Sequence, residues 1–443
     1  MAPRTLVRGG TLLTLGSPCR VLQGHDLLLE GDRIAGMGPS GSLPGPHDQT
    51  LEARGKVVLP GLVNAHMHFY SSLVRGLSKA APSKDFQEVL EHLWWRLDRK
   101  LSLDDVEASA EVALLEAIRK GTTTLVDHHA SPGAVRGSLD RIARAVRRTG
   151  LRACLCYEVS DRDGEHVREE GLEENAAFAR AVAGGRDPQL RALFGLHAAF
   201  TLSDATLDRA AELGRAAGVG FHVHVAEARS DVAANRARHG ATPVARLAAR
   251  GLLGRDSVAA HAVHVDPADR ELLARGGAFV AHNPQSNLNN AVGVADVVGL
   301  ARAGVPVGLG TDAMTLNMLE ELRVGLWAQH LRQDDPSKGF GELTGALFER
   351  NPELASRLWG FPLGTLAPGG AADLAIVDYD PPTPLDDSTA LGHLVFGLSQ
   401  AVVDTTVCGG RVLMEGKRLQ PDLDEERVMA RSRELARRLW ERF

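Results

Sequence analysis

The sequence has few cysteines and no long apolar segment. Its four cysteines are scattered, without a C-x-x-C pair or the spacing of a disulfide framework, so we expect reduced thiols. No stretch reaches the roughly eighteen uninterrupted apolar residues that a membrane span needs. The first residues also lack the apolar core and cleavage site of a secretion signal. These absences predict a cytoplasmic protein that does not cross a membrane.

A strong excess of one charge is also missing. Lysine and arginine number 50 against 56 aspartates and glutamates, which gives a net charge of -6. Such a chain has no basic surface for nucleic acid or for an anionic membrane. We therefore expect a small-molecule partner and neither a nucleic-acid nor a membrane partner.

One pattern recurs between about residues 56 and 313. A short apolar run ends in polar or ionisable residues, and a longer Ala-, Leu- and Arg-rich helical stretch follows it. Runs that are apolar on both faces suit parallel strands covered by helices, so this repetition predicts an α/β fold with a closed (β/α)8 (TIM) barrel. The runs are VVLPGLVNAHMH, GTTTLVDHH, LRACLCYEV, LRALFGLHAA, GVGFHVHVAE, DSVAAHAVHV, GAFVAHNP and VPVGLGTD. Nearly all of them end in His, Asp or Glu, at the end where barrel enzymes carry their chemistry.

The two ends of the chain differ from this middle part. Residues 1–55 and 363–423 contain short strands broken by Gly and Asp turns, and neither segment looks able to fold alone. We predict that they form one composite β-sandwich domain beside a barrel of residues 56–362. Residues 424–443 have apolar side chains at helical spacing, which predicts a final helix packed on the chain or on a second subunit. A homodimer is the expected assembly because it is the commonest closed one.

Four residues at the ends of the runs are candidate metal ligands. His66 and His68 alternate along the first run, so both imidazoles can face the barrel mouth. His224 ends the fifth run and Asp312 the eighth, where a third and a fourth ligand can converge on the same ion. Neutral imidazoles with one carboxylate suit one divalent ion, Zn²⁺ or alternatively Fe²⁺, and leave a position open for water.

Three residues are candidates for moving protons near that water. Glu227 follows His224 by three positions, and His261 ends the sixth run. Asp312 has spare acceptor lone pairs and could take the proton of a water activated by the metal. The structural alternatives are a solvated loop carboxylate for Glu227 and a core imidazole for His261.

The second run ends in His128 and His129, which strand alternation directs to opposite sides. One of them, His129 rather than His128, is a candidate substrate contact, and a purely structural role is the alternative.

With these residues placed, the chain resembles the amidohydrolase superfamily, and within it the mononuclear aminohydrolase branch. The resemblance runs from PGLVNAHMH through TTTLVDHH, GLHAAFTLS, HVHVAE, VAAHAVH and HNPQSN to GTDA. The strings HFYSSLVRGL, LWWRLDR and DHHASP are similar to those of SsnA-type aminohydrolases. Guanine and 8-oxoguanine deaminases and the triazine hydrolases belong to the same branch.

The resemblance implies roles for residues already singled out. The metal ligands of that family fall on His66, His68, His224 and Asp312, its proton-shuttling glutamate on Glu227, and its sixth-strand histidine on His261. Its substrate-contacting motif falls on the HAAF that begins at His197. The two-metal relatives carry a bridging lysine on the fourth strand, and no lysine occurs in LRALFGLHAAF, which favours one ion.

The expected activity is hydrolytic deamination of an amino-substituted, purine-like N-heterocycle by a metal-bound hydroxide. The alternatives are hydrolytic ring opening of a cyclic amide or amidine, and a triazine-type hydrolase. The catalytic residues do not separate deamination from ring opening. A catalytically dead scaffold is a further alternative, although this chain keeps every ligand and both proton-handling residues.

Overall fold

The computed structural model describes residues 2–185 and 187–443. Its strands are β1 (Arg4–Leu13), β2 (Val21–Glu30), β3 (Arg33–Pro39), β4 (Gln49–Glu52), β5 (Val57–Pro60), β6 (Leu62–Met67), β7 (Thr122–Asp127), β8 (Arg152–Leu155), β9 (Leu190–Ala192), β10 (Phe194–Ala198), β11 (Phe221–Val225), β12 (Val258–His261), β13 (Phe279–His282), β14 (Val307–Leu309), β15 (Leu374–Asp378), β16 (Val402–Cys408), β17 (Arg411–Glu415) and β18 (Arg418–Leu419).

Helices connect most of these strands, and the fold is α/β as predicted. They are α1 (Phe86–Val89), α2 (Trp95–Asp98), α3 (Leu103–Arg119), α4 (Ser138–Thr149), α5 (Glu165–Val182), α6 (Asp204–Ala217), α7 (Arg229–His239), α8 (Pro243–Ala248), α9 (Pro267–Gly276), α10 (Pro284–Asn289), α11 (Val297–Arg302), α12 (Met318–Gln333), α13 (Phe340–Gly345), α14 (Asn351–Trp359), α15 (Ala390–Phe396) and α16 (Glu425–Arg442). Among the described residues, no helix combines the length and apolarity that crossing a bilayer requires.

Local sequence explains where the longer helices begin. Ser102 caps α3 in a reciprocal capping box with Asp105, and Asp266 caps α9 in the same way with Asp269. Each box satisfies backbone N–H groups that the first turn of a helix leaves without partners. Pro267, at the start of α9, has no N–H to leave unpaired.

The middle of the chain forms two parallel sheets. Strands β6 to β9 pair in sequence order, and so do β10 to β14. Isolated bridges join Val159 to Leu196 and Met67 to Asp312, and so link the two sheets at both edges. Each of the eight apolar runs contains a strand, and every residue of β6 to β8 and of β10 to β14 is buried. Strands covered on both faces account for runs without polar alternation.

Strands from the two ends of the chain share one mixed, nine-stranded sheet. Its order is β18-β17-β16-β15-β5-β1-β2-β3, with β4 paired to β1. The N-terminal strand β5 lies antiparallel to the C-terminal strand β15, so the sheet joins the two ends directly. The chain runs from β5 into β6 through Gly61 alone, which connects this sheet to the first parallel strand.

The C-terminal segment packs on the same chain. Val428 and Leu439 of α16 are buried, and Nε1 of Trp440 donates to the carbonyl oxygen of Leu73 at 2.8 Å. A buried ion pair between Arg152 and Asp373 also joins parts of the chain that are distant in sequence. Nε and Nη2 of Arg152 on β8 donate to the two carboxylate oxygens of Asp373 at 3.0 and 3.1 Å. This paired fork ties the parallel strands to the segment before β15.

We predict that Asp373→Asn lowers the free energy of unfolding by about 3–5 kcal/mol, because it leaves the buried Arg152 guanidinium without its counter-charge. The pair's side chains are 3% and 1% exposed. The matched control is Glu212→Gln, which breaks the Arg209–Glu212 pair whose side chains are 51% and 67% exposed. Urea unfolding measures both variants, and the control should change by less than about 0.5 kcal/mol. Equal effects would contradict a structural role for the Arg152–Asp373 pair.

Candidate active site

The candidate catalytic residues meet at the carboxyl ends of the parallel strands. His66 lies in β6 and His224 in β11, while His261 is the last residue of β12. His68 and Asp312 follow β6 and β14 by one and three residues. Carboxyl ends of parallel strands lie at one edge of a sheet, so residues far apart in sequence come together there.

The four predicted metal ligands lie close to one another. Nε2 of His68 is 3.0 Å from Oδ1 of Asp312 and 3.3 Å from Nε2 of His224. Nε2 of His66 is 3.9 Å from the same Asp312 oxygen. The combination of His66, His68 and Asp312 is one of the groups in which a metal ion could be held, with ligand atoms within 4.8 Å of one another.

The hydrogen bonds and protonation states of the histidines are compatible with a bound cation. Nε2 of His66 is buried and has no hydrogen-bond partner among the described residues. Nδ1 of His68 donates to the backbone carbonyl of His128, so Nε2 is the nitrogen that faces Asp312 and His224. Burial, followed by the neighbouring histidines, lowers the pKa of His66 and of His224 well below the usual range, so both imidazoles are neutral. Unprotonated imidazoles around a carboxylate form a donor set typical of Zn²⁺ or Fe²⁺.

His68 and Asp312 behave as an ion pair. Burial opposes the charge on each, but their hydrogen bond and mutual attraction outweigh it. The pKa of His68 is raised to about 9 and that of Asp312 is lowered to about 2. Asp312 is therefore ionised and His68 is protonated at neutral pH, and a cation bound between them would displace the proton from Nε2 of His68.

Glu227 and Asp312 both lie close to Nε2 of His261. Nε2 of His261 is 3.5 Å from Oε2 of Glu227 and 3.9 Å from Oδ2 of Asp312. Burial, and then the charge of Asp312, raises the pKa of Glu227 well above that of an ordinary glutamate. Glu227 is thus neither solvated nor remote from the cluster, which disfavours the loop-carboxylate alternative.

The backbone at the site adopts left-handed conformations that non-glycine residues rarely take. His261 has φ +75° and Asp312 has φ +53°. Ala226, next to Glu227, has φ +48°. Such conformations cost about 1–3 kcal/mol each and persist where the surroundings over-determine them. Here the three residues lie at or just after the ends of β11, β12 and β14.

The HNPQSN segment supports two of these residues. Ser286 donates to Oδ2 of Asp312. Nδ2 of Asn287 lies 2.9 Å from Nδ1 of His261, and Nδ2 of Asn283 lies 3.4 Å from the same atom. Side chains at the start of α10 therefore form hydrogen bonds with both His261 and Asp312.

A cavity opens over the cluster and is lined by His68, His224, Glu227, His261 and Asp312. Five aromatic side chains also line it: Tyr70, Phe86, Trp94, Trp95 and Phe200. Ligand pockets are usually lined by apolar side chains with a few convergent polar groups.

Of the two predicted substrate contacts, His197 lines the cavity and His129 does not. Nδ1 of His197 lies 2.7 Å from the Thr201 hydroxyl. His129 is fully buried, and its Nε2 bonds to the Ser131 hydroxyl at 2.9 Å. The reason is that β7 ends at Asp127, so strand alternation no longer governs the next two residues. His128 instead lies against the cluster, with its ring centroid 4.6 Å from that of His224.

The sequence analysis did not identify three ionisable residues that line the cavity. Asp98 and Arg162 form a buried ion pair, and Glu158 lies between His128 and His197 at 3.4 and 3.6 Å. Burial raises the pKa of Glu158 to about 7. The position of Glu158 at the end of the third run was a usable signal. Asp98 lies in the short helix α2 and Arg162 in a loop, and at neither place does the sequence carry a pattern that indicates a functional residue.

Comparisons with known proteins agree with this geometry. The profile of the Amidohydrolase family matches residues 57–413. A 5-methylthioadenosine/S-adenosylhomocysteine deaminase of Desulforudis audaxviator is 36% identical over 94% of this chain and 95% of its own length. A 5'-deoxyadenosine deaminase of Methanosarcina mazei is 31% identical, with 98% of each chain covered.

A solved structure gives the same result for the fold. A zinc-bound adenosine deaminase from Xanthomonas campestris superposes with a TM-score of 0.86 at 24% identity, and the match covers 98% of each chain. The resemblance to a superfamily of metal-dependent hydrolases acting on C–N bonds outside peptides is confirmed by these matches. The chain belongs to the amidohydrolase family.

Proposed function

We propose that this chain catalyses the hydrolytic deamination of a purine-like heterocycle and releases ammonia. The observation that carries the proposal is the pair of carboxylates around His261, at 3.5 Å for Glu227 and 3.9 Å for Asp312. Two carboxyl groups beside one imidazole can take a proton from water and return it to a leaving nitrogen. Both carboxyl groups line the cavity beside the histidine cluster, so a substrate bound in the cavity would lie within reach of them.

The proposed cofactor is one divalent ion held by His66, His68, His224 and Asp312. Zn²⁺ is the preferred ion, and Fe²⁺ is the alternative that the same donors accept. The unpartnered Nε2 of His66 and the 3.3 Å separation of the His68 and His224 Nε2 atoms support this assignment. When bound, such an ion lowers the pKa of water to ~7 and thereby supplies a nucleophile at neutral pH.

The protein side chains account for the proton movements. Asp312 accepts a proton from the attacking water, and Glu227 delivers a proton to a ring nitrogen, which makes the amino-bearing carbon more electrophilic. His261 stabilises the charge that develops at the attacked carbon. A C–O bond forms, and the bond to the exocyclic nitrogen breaks as that nitrogen takes the proton held by Asp312 and leaves as ammonia. The hydroxyl proton of the attacked carbon passes to Glu227 as the carbonyl forms, so both carboxyl groups end as they began.

The cavity suits a flat, partly apolar substrate. Aromatic side chains and ionisable groups both line it, so a ring can stack on an aromatic side chain while its polar edge meets hydrogen-bonding groups. His197 is the proposed contact for that edge, because its Nε2 lies 3.6 Å from Glu158 at the cavity wall. The activities in the names of the relatives, deamination of adenosine-like compounds, support a purine-like substrate.

The proposed architecture is a closed (β/α)8 barrel over the predicted range 56–362, except that β5 (Val57–Pro60) pairs with β1 and β15 in the mixed sheet. The two isolated bridges that join the parallel sheets at both edges support closure. Residues 1–55 and 363–423 are proposed to form the composite β-sandwich domain, with β5 as the strand through which it meets the barrel. Residues 424–443 are the C-terminal helix. The homodimer and the cytoplasmic location stay predictions, which light scattering and cell fractionation test.

We predict about one divalent ion per purified chain, because the ligand set forms a single open site. His68→Ala and Asp312→Ala should each lose the ion, since each variant removes one donor atom from the metal. Elemental analysis after gel filtration measures retention. His166→Ala, at a histidine whose side chain is 84% exposed, is the matched control and should keep the ion. Two tightly held ions per active chain would overturn the single-ion assignment.

We predict ammonia release from purine-like amines in a screen that also contains aminopyrimidines, aminotriazines and saturated cyclic amides. Adenosine-type nucleosides and amino-oxopurines both belong in the panel. Glu227→Gln should keep the metal and lose roughly 10²-fold or more in rate, the scale of general acid–base catalysis. Glu212→Gln, an exposed site, is the control and should match the parent.

His197→Ala should raise KM or lower kcat/KM while the metal stays bound, because His197 is proposed to contact the substrate and is not a proposed metal ligand. Ring opening of a cyclic amide without ammonia release would replace deamination by the alternative activity. A Glu227→Gln protein as fast as its parent would require another proton carrier.

A further inference from the structure

A chain of hydrogen bonds runs behind His66, on the side away from the substrate cavity. Nδ1 of His66 lies 2.8 Å from Nε2 of His222. Nδ1 of His222 lies 3.7 Å from Sγ of Cys156, and that sulfur lies 3.4 Å from the backbone carbonyl oxygen of Asp127. The three side chains are fully buried, and none of them is among the residues that line the cavity. Their order links the end of β7 to a proposed metal ligand on β6.

The donor and acceptor in each hydrogen bond can be assigned by starting from the Asp127 carbonyl, where the chain ends. A carbonyl oxygen only accepts, so the Cys156 thiol donates its single proton to Asp127. The sulfur can then only accept from His222, which places the proton of that imidazole on Nδ1. The bare Nε2 of His222 accepts in turn, so His66 donates from Nδ1. His66 therefore carries its lone pair on Nε2.

That lone pair points at the proposed metal site. Nε2 of His66 lies 3.9 Å from Oδ1 of Asp312 and has no hydrogen-bond partner among the described residues. An imidazole binds a metal ion through an unprotonated nitrogen, and the hydrogen bond at its other nitrogen selects which one that is. The tautomer of His66 that can bind the ion is thus the one that the chain from Asp127 dictates.

We propose that His222 and Cys156 are positioning residues that hold His66 in its metal-binding tautomer and ring orientation. The proposal rests on the metal site of the proposed function. It gives a role to two residues that strand packing alone would otherwise explain: His222, which shares a strand face with His224, and Cys156, which directly follows β8. Metal-bound histidines usually donate to a carboxylate, a carbonyl or water, whereas here a second imidazole and a thiol transmit the hydrogen bond.

The two neighbouring cysteines allow a matched test. Cys154 lies two residues before Cys156 and is also a fully buried free thiol, but no hydrogen bond to His222 or His66 links it in the described part of the chain. Cys154→Ala and Cys156→Ala remove the same atom from the same region, so they share any loss of packing. Cys156→Ser keeps one donor and one acceptor at the position.

The readout is the dissociation constant for Zn²⁺, measured by chelator competition on metal-free protein. Cys156→Ala should bind Zn²⁺ roughly tenfold more weakly than Cys154→Ala, the lower range for lost support of a ligand. Cys156→Ser should return to within about threefold of the parent, since the hydroxyl can repeat both hydrogen bonds. His222→Phe, which keeps a ring but no acceptor, should weaken binding by roughly 10–100-fold. If His222→Phe does not fold, the cysteine variants decide alone.

The outcomes separate this inference from the proposed function. If the parent protein binds no Zn²⁺, the proposed metal site itself is wrong. A parent that binds, with Cys156→Ala and Cys154→Ala equally affected, overturns only the positioning roles. Co²⁺-loaded parent protein gives an independent check, because His128, Cys156 and His222 also lie close enough together to hold an ion. A thiolate-to-Co²⁺ charge-transfer band would show that Cys156 is a ligand and would contradict the proposal.

Discussion

The contact between His68 and Asp312, 3.0 Å long and almost entirely buried, sets the arrangement of the rest of the site. It brings the residue after β6 against the residues after β14, the first and last of the parallel strands. Burying a carboxylate costs several kcal/mol unless opposite charge and hydrogen bonds surround it. The cluster of imidazoles, the Ser286 hydroxyl and the proposed divalent ion all meet that requirement at one point. The neighbouring strands must bring their ends to the same place.

Several backbone features follow from that convergence. Gly310 follows β14, and a Cβ atom there would lie 2.7 Å from the carbonyl oxygen of His66 and 2.5 Å from the side-chain oxygen of Asn283. Only glycine lets the two backbones approach so closely. The left-handed conformations of His261 and Asp312 turn the chain at the same level. The strands therefore fix the positions of the candidate catalytic residues, while Ser286 and Asn287 of α10 supply hydrogen bonds to Asp312 and His261.

Much of this arrangement is predictable from sequence because it depends on short-range patterns. Apolar runs mark the buried parallel strands, and the rule that barrel enzymes place their chemistry at strand ends selects His66, His68, His224, His261 and Asp312. His129 shows where that reasoning fails, since strand alternation does not extend past the end of β7. Arg162 and Asp98 could not be found, because a loop and a short helix carry no periodic signal. The mixed sheet of the chain ends is a long-range pairing whose strand order no local pattern encodes.

The hydrogen-bond chain through Cys156 cannot be predicted from sequence for another reason, since it depends on distances between residues of β6, β7, β11 and the segment after β8. The most direct measurement of the central claim is a crystal structure of the zinc-loaded protein with anomalous data collected at the zinc edge. One peak is expected, about 2.0–2.2 Å from ligand atoms of His66, His68, His224 and Asp312. A peak among His128, Cys156 and His222, or between His128 and Glu158, would contradict the assignment of the site.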